Sequence, residues 1–208
     1  METINSFDII LALIKAHKDE NTFHTVPGPD NYDVKLDSVH YLLGQTIRNL
    51  WNKKGHICIS KKALEKWNEL KVGEPIINYS YQKPVYYKNE EPVYIKCYKG
   101  ASSSPYYEGE VKYVGNSSYF RFRQVFHIEH IVPIGVILEE LLKVDINLDK
   151  EVLYKELNFI LDKIYVCFML KEEDKELNKV NKIKRSDNYL EVLNSDYKKA
   201  GIEIVKWY

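Results

Sequence analysis

Phe126-His127-Ile128-Glu129-His130-Ile131-Val132-Pro133 is the stretch on which the fold turns. Apolar Phe126 and Ile128 alternate with polar His127 and Glu129, which is the period of a half-buried strand. Upstream, Phe120 and Phe122 extend the apolar face, while Arg121 and Arg123 extend the polar one. The pattern predicts one strand over 119–128. Pro133 has no N–H to give a ladder and disfavours helical backbone before it, so the strand ends early. Glu129 and His130 are neighbours and point to opposite faces of a regular strand. They converge only if the strand ends or bulges at His130. If they converge, the carboxylate can hold a divalent cation. The histidine can then deprotonate a water that attacks phosphorus.

Working outward, helical spacing predicts helices at about 136–144 and 149–161. Ile164–Met169 reads as a short apolar strand. A charged helix then runs from Lys171 to Lys182, with Glu172, Glu173 and Asp174 suited to its first turn. A last strand is expected within 202–208. Toward the N-terminus, 4–17 and 38–52 read as helices. Between them 19–37 reads as a loop, because it holds Pro27-Gly28-Pro29-Asp30-Asn31. Ile57-Cys58-Ile59 suits a short strand, and Ser60 suits the cap of a helix over 61–71. Ten of the 17 tyrosines lie in 79–119. Their β-branched and aromatic company, broken by Pro84, Pro92, Gly100 and Pro105, predicts short strands there. These include Ile76–Tyr81, Val85–Tyr87, Val93–Tyr98 and Val111–Val114, with Ser102–Tyr107 a loop.

Thirty basic and 30 acidic side chains give a formal net charge of zero. Nucleic acid, if bound, must therefore meet local basic patches and not a global field. No apolar run is long enough for a transmembrane helix, and Glu2 without a basic n-region reads against a signal peptide. Cys58, Cys97 and Cys167 are odd in number and widely spaced, which argues against a disulfide framework or a zinc ribbon. They are expected to pack as small hydrophobes in a cytoplasmic protein.

The string His127-Ile128-Glu129-His130-Ile131-Val132-Pro133, followed by a second strand at Ile164–Met169 and a helix at Lys171–Lys182, resembles the HNH, or ββα-metal, nuclease motif. The resemblance covers roughly 119–186, about a third of the chain. It implies an α+β fold: a mixed N-terminal module over 1–118 that positions DNA, and a catalytic domain over 119–208. The usual short inter-strand loop is replaced here by about 30 residues holding two helix-like segments. By position, the resemblance implies that Glu129 is the first-strand metal ligand and His130 the general base. Asn178 would be the helix ligand, with Asp174 and Asn181 as competitors. Asp162, or Asn158 a turn earlier, would orient the base. Oxygen ligands suit Mg²⁺, or a similar cation such as Mn²⁺. The implied activity is metal-dependent hydrolysis of double-stranded DNA by a restriction-type or mobile-element endonuclease. A homodimer would suit cutting of both strands, though no sequence feature fixes it. A nucleic-acid-binding protein with a degenerate, non-catalytic core is the alternative.

Arg121 and Arg123, on the predicted face of Glu129, are candidates to grip phosphate. His127 shares that face as a nucleic-acid contact, a third metal ligand, a proton donor to the leaving group or a structural histidine. The Tyr/Lys region 79–119 can stack bases or simply fill a half-buried sheet. Residues 38–71 fit a generic helical pair better than a helix-turn-helix, because Ile57–Ile59 is too long and apolar for a tight turn.

Overall fold

A computed structural model describes residues 6–19, 24–27, 33–36, 38–50, 56–80, 83–87, 112–114, 117–180 and 185–208. In chain order these form α1 (Ser6–Asp19), β1 (His24–Pro27), β2 (Asp33–Leu36), α2 (Ser38–Arg48), β3 (Ile57–Ser60) and α3 (Lys61–Glu69). A 3₁₀ turn at Ile76–Asn78 precedes β4 (Pro84–Tyr87), β5 (Lys112–Val114) and β6 (Ser117–Arg121). A second 3₁₀ turn, Phe122–Gln124, leads to β7 (Phe126–His130), α4 (Ile134–Lys143) and α5 (Lys150–Leu161). The chain closes with β8 (Val166–Leu170), α6 (Lys171–Val180), α7 (Tyr189–Val192) running into a π turn at Leu193–Tyr197, and β9 (Ile204–Trp207). The protein is thus mixed α+β.

The chain folds into two compact units, each built from two segments: 1–55 with 132–164, and 56–131 with 165–208. This division does not follow the expected one at 118/119. The segment between β7 and β8 joins the N-terminal helices because its apolar faces suit them. Helix α4 packs on α2 and α5, and Ile10, Ile14, Leu43, Ile47, Ile137, Leu141 and Leu157 are fully buried. In the same unit, β1 and β2 pair antiparallel with His24 opposite Leu36, within a stretch where a loop was expected.

The second unit carries a four-stranded mixed sheet in the order β7-β8-β3-β9. Strands β7 and β8 are antiparallel, in register from Phe126 opposite Leu170 to His130 opposite Val166. Strand β3 runs parallel to β8, with Cys58 opposite Cys167. One face buries Cys58, Cys167 and Met169 under Leu177, Val192, Tyr197 and Ile202. The other carries Phe126 and Phe168, packed with Phe122 and Trp67 at centroid distances of 5.0–6.2 Å. Each such aromatic contact adds about 0.5–1.5 kcal/mol beyond area burial. Cys58 and Cys167 are buried thiols, as expected, and Cys97 lies outside the described residues.

Two differences from expectation matter for the site. The strand predicted over 119–128 is broken at Phe122–Gln124. Its first part, β6, belongs to a separate three-stranded sheet of order β4-β6-β5. Gln124 makes the break by turning its amide oxygen back to accept from the Arg121 N–H at 2.6 Å. Ile76–Asn78 is a 3₁₀ turn and not a strand. Val93–Tyr98 and Ser102–Tyr107 fall outside the described residues.

Helix α3 begins as its sequence predicts. Ser60 Oγ accepts from the Ala63 N–H at 3.2 Å and donates to Glu173 Oε2 at 2.6 Å. The same Glu173 oxygen accepts from the Leu170 N–H at 2.9 Å. One buried carboxylate therefore ties the N-cap of α3 to the start of α6, which satisfies donors that would otherwise be orphaned. Those bonds fix α6 against the end of β8.

Candidate metal centre

Period-two alternation places His127 and Glu129 on one face of β7, the face on which α6 packs. Asp174 projects from the first turn of that helix. The ring of His127 meets Glu129 with Nε2 and Oε2 3.0 Å apart, and Asp174 Oδ1 lies 3.7 Å from the same nitrogen. One ligand atom from each of His127, Glu129 and Asp174 lies within 4.8 Å of the others. Their side chains are only 26%, 16% and 20% exposed. Two carboxylate oxygens and one imidazole nitrogen at this spacing fit a divalent cation of the Mg²⁺, Mn²⁺ or Zn²⁺ class.

Electrostatics separate the two carboxylates. Burial alone would push Glu129 up, but the hydrogen bond with His127 and the charges of Arg185 and His127 outweigh it. Together they hold Glu129 below the ordinary glutamate value. Burial raises Asp174, and the adjacent Glu129 charge adds to that rise. His127, the Asn178 hydrogen bond and Arg185 act in opposition.

Of the residues singled out in the sequence, Glu129 and Asp174 come together here, and His127 joins them. Asn178 lies one turn further along α6, where its Nδ2 donates to Asp174 Oδ1 at 2.9 Å. It therefore touches the ligand set through Asp174. Leu177 points into the core, as its place in the helix predicts. Asn181 is outside the described residues. The β7–β8 ladder runs without a bulge through His130. His130 therefore takes the face opposite Glu129, and it does not belong to the three-residue cluster. Asp162 caps the end of α5 in the other unit, where its N–H bonds the Asn158 carbonyl at 2.8 Å. Arg121 ends β6 and is exposed, whereas Arg123 sits in the 3₁₀ turn and is half-buried. Neither shares a strand with Glu129, so the common polar face expected for them is broken. The Tyr/Lys region lies mostly outside the described residues. Within them, Tyr79 is buried against Trp67, at a centroid distance of 4.8 Å, with the Lys83 ammonium over its ring.

The residue that sequence reasoning missed is Arg185. Its guanidinium pairs with Glu129 Oε1, and the same nitrogen donates to the His130 carbonyl at 3.3 Å. It lies 56 residues beyond Glu129, after α6, in a stretch with no periodicity to mark it. Among the described residues no helix is long and apolar enough to cross a membrane. Compared with protein-family models, curated proteins and solved structures, the chain matches none.

Proposed function

We propose that this protein is a metal-dependent nuclease, and specifically an HNH-like endonuclease hydrolysing phosphodiester bonds in double-stranded DNA in the cytoplasm. The observation that carries the reading is the meeting of His127, Glu129 and Asp174 on a strand–strand–helix unit. His127 and Glu129 come from the first strand and Asp174 from the helix. An antiparallel partner strand and a helix packed on the pair are what the resemblance of the sequence implied.

Glu129, Asp174 and His127 would hold the cation. Such a cation supplies a Lewis acid for the phosphoryl oxygen and lowers the pKa of water. The residues do the rest. His127 would have to offer the Nε2 lone pair to the cation, which requires the ring tautomer that carries its hydrogen on Nδ1. Asp174 must lose the proton that burial favours. Asn178 holds the Asp174 carboxylate in place through its amide. Exposed Arg121 remains a candidate phosphate contact. A restriction-type or mobile-element role, and a homodimer for double-strand cutting, belong to the same proposal.

The alternative is a nucleic-acid-binding protein with a degenerate core. It is favoured by the Arg185–Glu129 ion pair, which already neutralises one ligand. Plasmid incubated with the protein and Mg²⁺ or Mn²⁺ separates the two. Cutting that stops with chelator, and is absent in Asp174→Ala, supports the nuclease. Binding without cutting, indifferent to chelator, supports the alternative.

A further inference from the structure

We infer that Arg185 is a positioning residue of the metal centre, fixing Glu129 so that it offers the cation a single oxygen. The inference rests on the metal-centre reading above and adds a part to it. The two oxygens of Glu129 have separate partners. Oε1 takes the Arg185 guanidinium, whereas Oε2 faces His127 Nε2 at 3.0 Å. Oε2 is also the side from which Asp174 approaches, since Asp174 Oδ1 lies 3.7 Å from the same His127 nitrogen. A cation shared by the three residues therefore meets Oε2, and the ion pair to Oε1 is undisturbed.

Arg185 is itself fixed. Its side chain is 5% exposed, and its second bond reaches the His130 backbone carbonyl, which belongs to the rigid strand that carries Glu129. A glutamate has three rotatable bonds, and on a strand face it samples several rotamers. A guanidinium tied both to the carboxylate and to the backbone of the next residue removes that freedom. Both bonds come from Nη1, and lysine, though it carries the same charge, lacks the rigid planar head that holds that nitrogen between the two acceptors. A buried arginine is costly without a partner, and Glu129 is the carboxylate that pairs with it.

Charge and positioning pull in opposite directions, which makes the inference testable. A nearby positive charge by itself repels a cation, so a purely electrostatic Arg185 would weaken metal binding, and its removal would tighten it. A positioning Arg185 strengthens binding, and its removal weakens it. Residues that orient metal ligands typically change metal affinity by about 10–100-fold.

The experiment is calorimetric titration of Mn²⁺ into the full chain without nucleic acid, on wild type, Arg185→Lys and Arg185→Gln, each shown to be folded by circular dichroism. The expected order of affinity is wild type, then Arg185→Lys, then Arg185→Gln, with the last weaker by about 10–100-fold. Equal or tighter Mn²⁺ binding by folded Arg185→Gln overturns the inference and leaves the metal centre standing. Absence of Mn²⁺ binding by wild type removes the metal centre, and the inference with it. Should Arg185→Gln fail to fold, Arg185→Lys decides alone. It retains the buried charge, and affinity equal to wild type would contradict a role for the guanidinium geometry.

Discussion

Asp174 and Asn178, one turn apart on α6, are joined by a hydrogen bond in which the amide of Asn178 donates to Asp174 Oδ1 at 2.9 Å. This relationship sets the register of the helix against β7. Asp174 faces His127 and Glu129, and Asn178 stands behind it. Substitutions at the two positions should therefore differ in kind. Asp174→Ala should abolish Mn²⁺ binding, whereas Asn178→Ala should weaken it by about 10–100-fold, as loss of a ligand's support does. Metal titration of both variants checks this. Loss of binding in Asn178→Ala with retention in Asp174→Ala would return the ligand role to Asn178.

The two histidines of β7 are separated in the same way. His127 shares the face of Glu129 and His130 does not. We expect His127→Ala to lose both metal binding and cleavage. His130→Ala should keep Mn²⁺ affinity and lose far less of the cleavage rate. A single-turnover assay in which His130→Ala binds Mn²⁺ normally but cuts about 10²–10⁴-fold more slowly would restore His130 as the general base.

Strand β7, strand β8 and helix α6 were legible because each has a local signature: alternation at 126–129, an unbroken apolar run at 164–169, and acidic residues opening a charged helix. The break before β7 was legible only in hindsight. Apolar residues stand at 120, 122, 126 and 128, and polar Gln124 occupies the place in the alternation that is missing. The pairing of β1 with β2 was hidden because the strands are short and Pro27-Gly28-Pro29-Asp30-Asn31 gives the stretch a composition that reads as loop. Arg185 was beyond reach, because its partnership with Glu129 is created by the fold across 56 residues. Whether Glu129 and His130 converge depends on strand geometry alone, and the unbroken ladder through His130 turns them to opposite faces.

Proton competition should shape metal affinity. Burial and the Glu129 charge raise the Asp174 carboxyl above its ordinary value, so it retains a proton at pH values where a free aspartate has lost it. A cation must displace that proton. Mn²⁺ affinity should thus fall as pH drops through the raised Asp174 value, by about tenfold per pH unit once the proton is held. Titration of wild type over a pH series checks the direction. Affinity that is flat through the acidic range, or that rises with acid, would contradict the ligand role of Asp174.

Glu173 gives a prediction about stability. Its buried carboxylate accepts from both Ser60 Oγ and the Leu170 N–H. Glu173→Ala leaves both donors unsatisfied, at about 1–3 kcal/mol each. Urea unfolding should show a loss of about 3 kcal/mol, with Glu173→Gln losing less because it keeps an acceptor. A change below about 0.5 kcal/mol would mean that water replaces the carboxylate without cost.

The central claim is that His127, Glu129 and Asp174 bind one divalent cation, and calorimetric titration of Mn²⁺ into the purified chain tests it without any assumption about substrate. The account predicts one site per chain in the wild type and none in Asp174→Ala or His127→Ala, all three proteins being folded. A wild type that takes up no Mn²⁺, or variants that bind it as tightly as the wild type, would contradict the account.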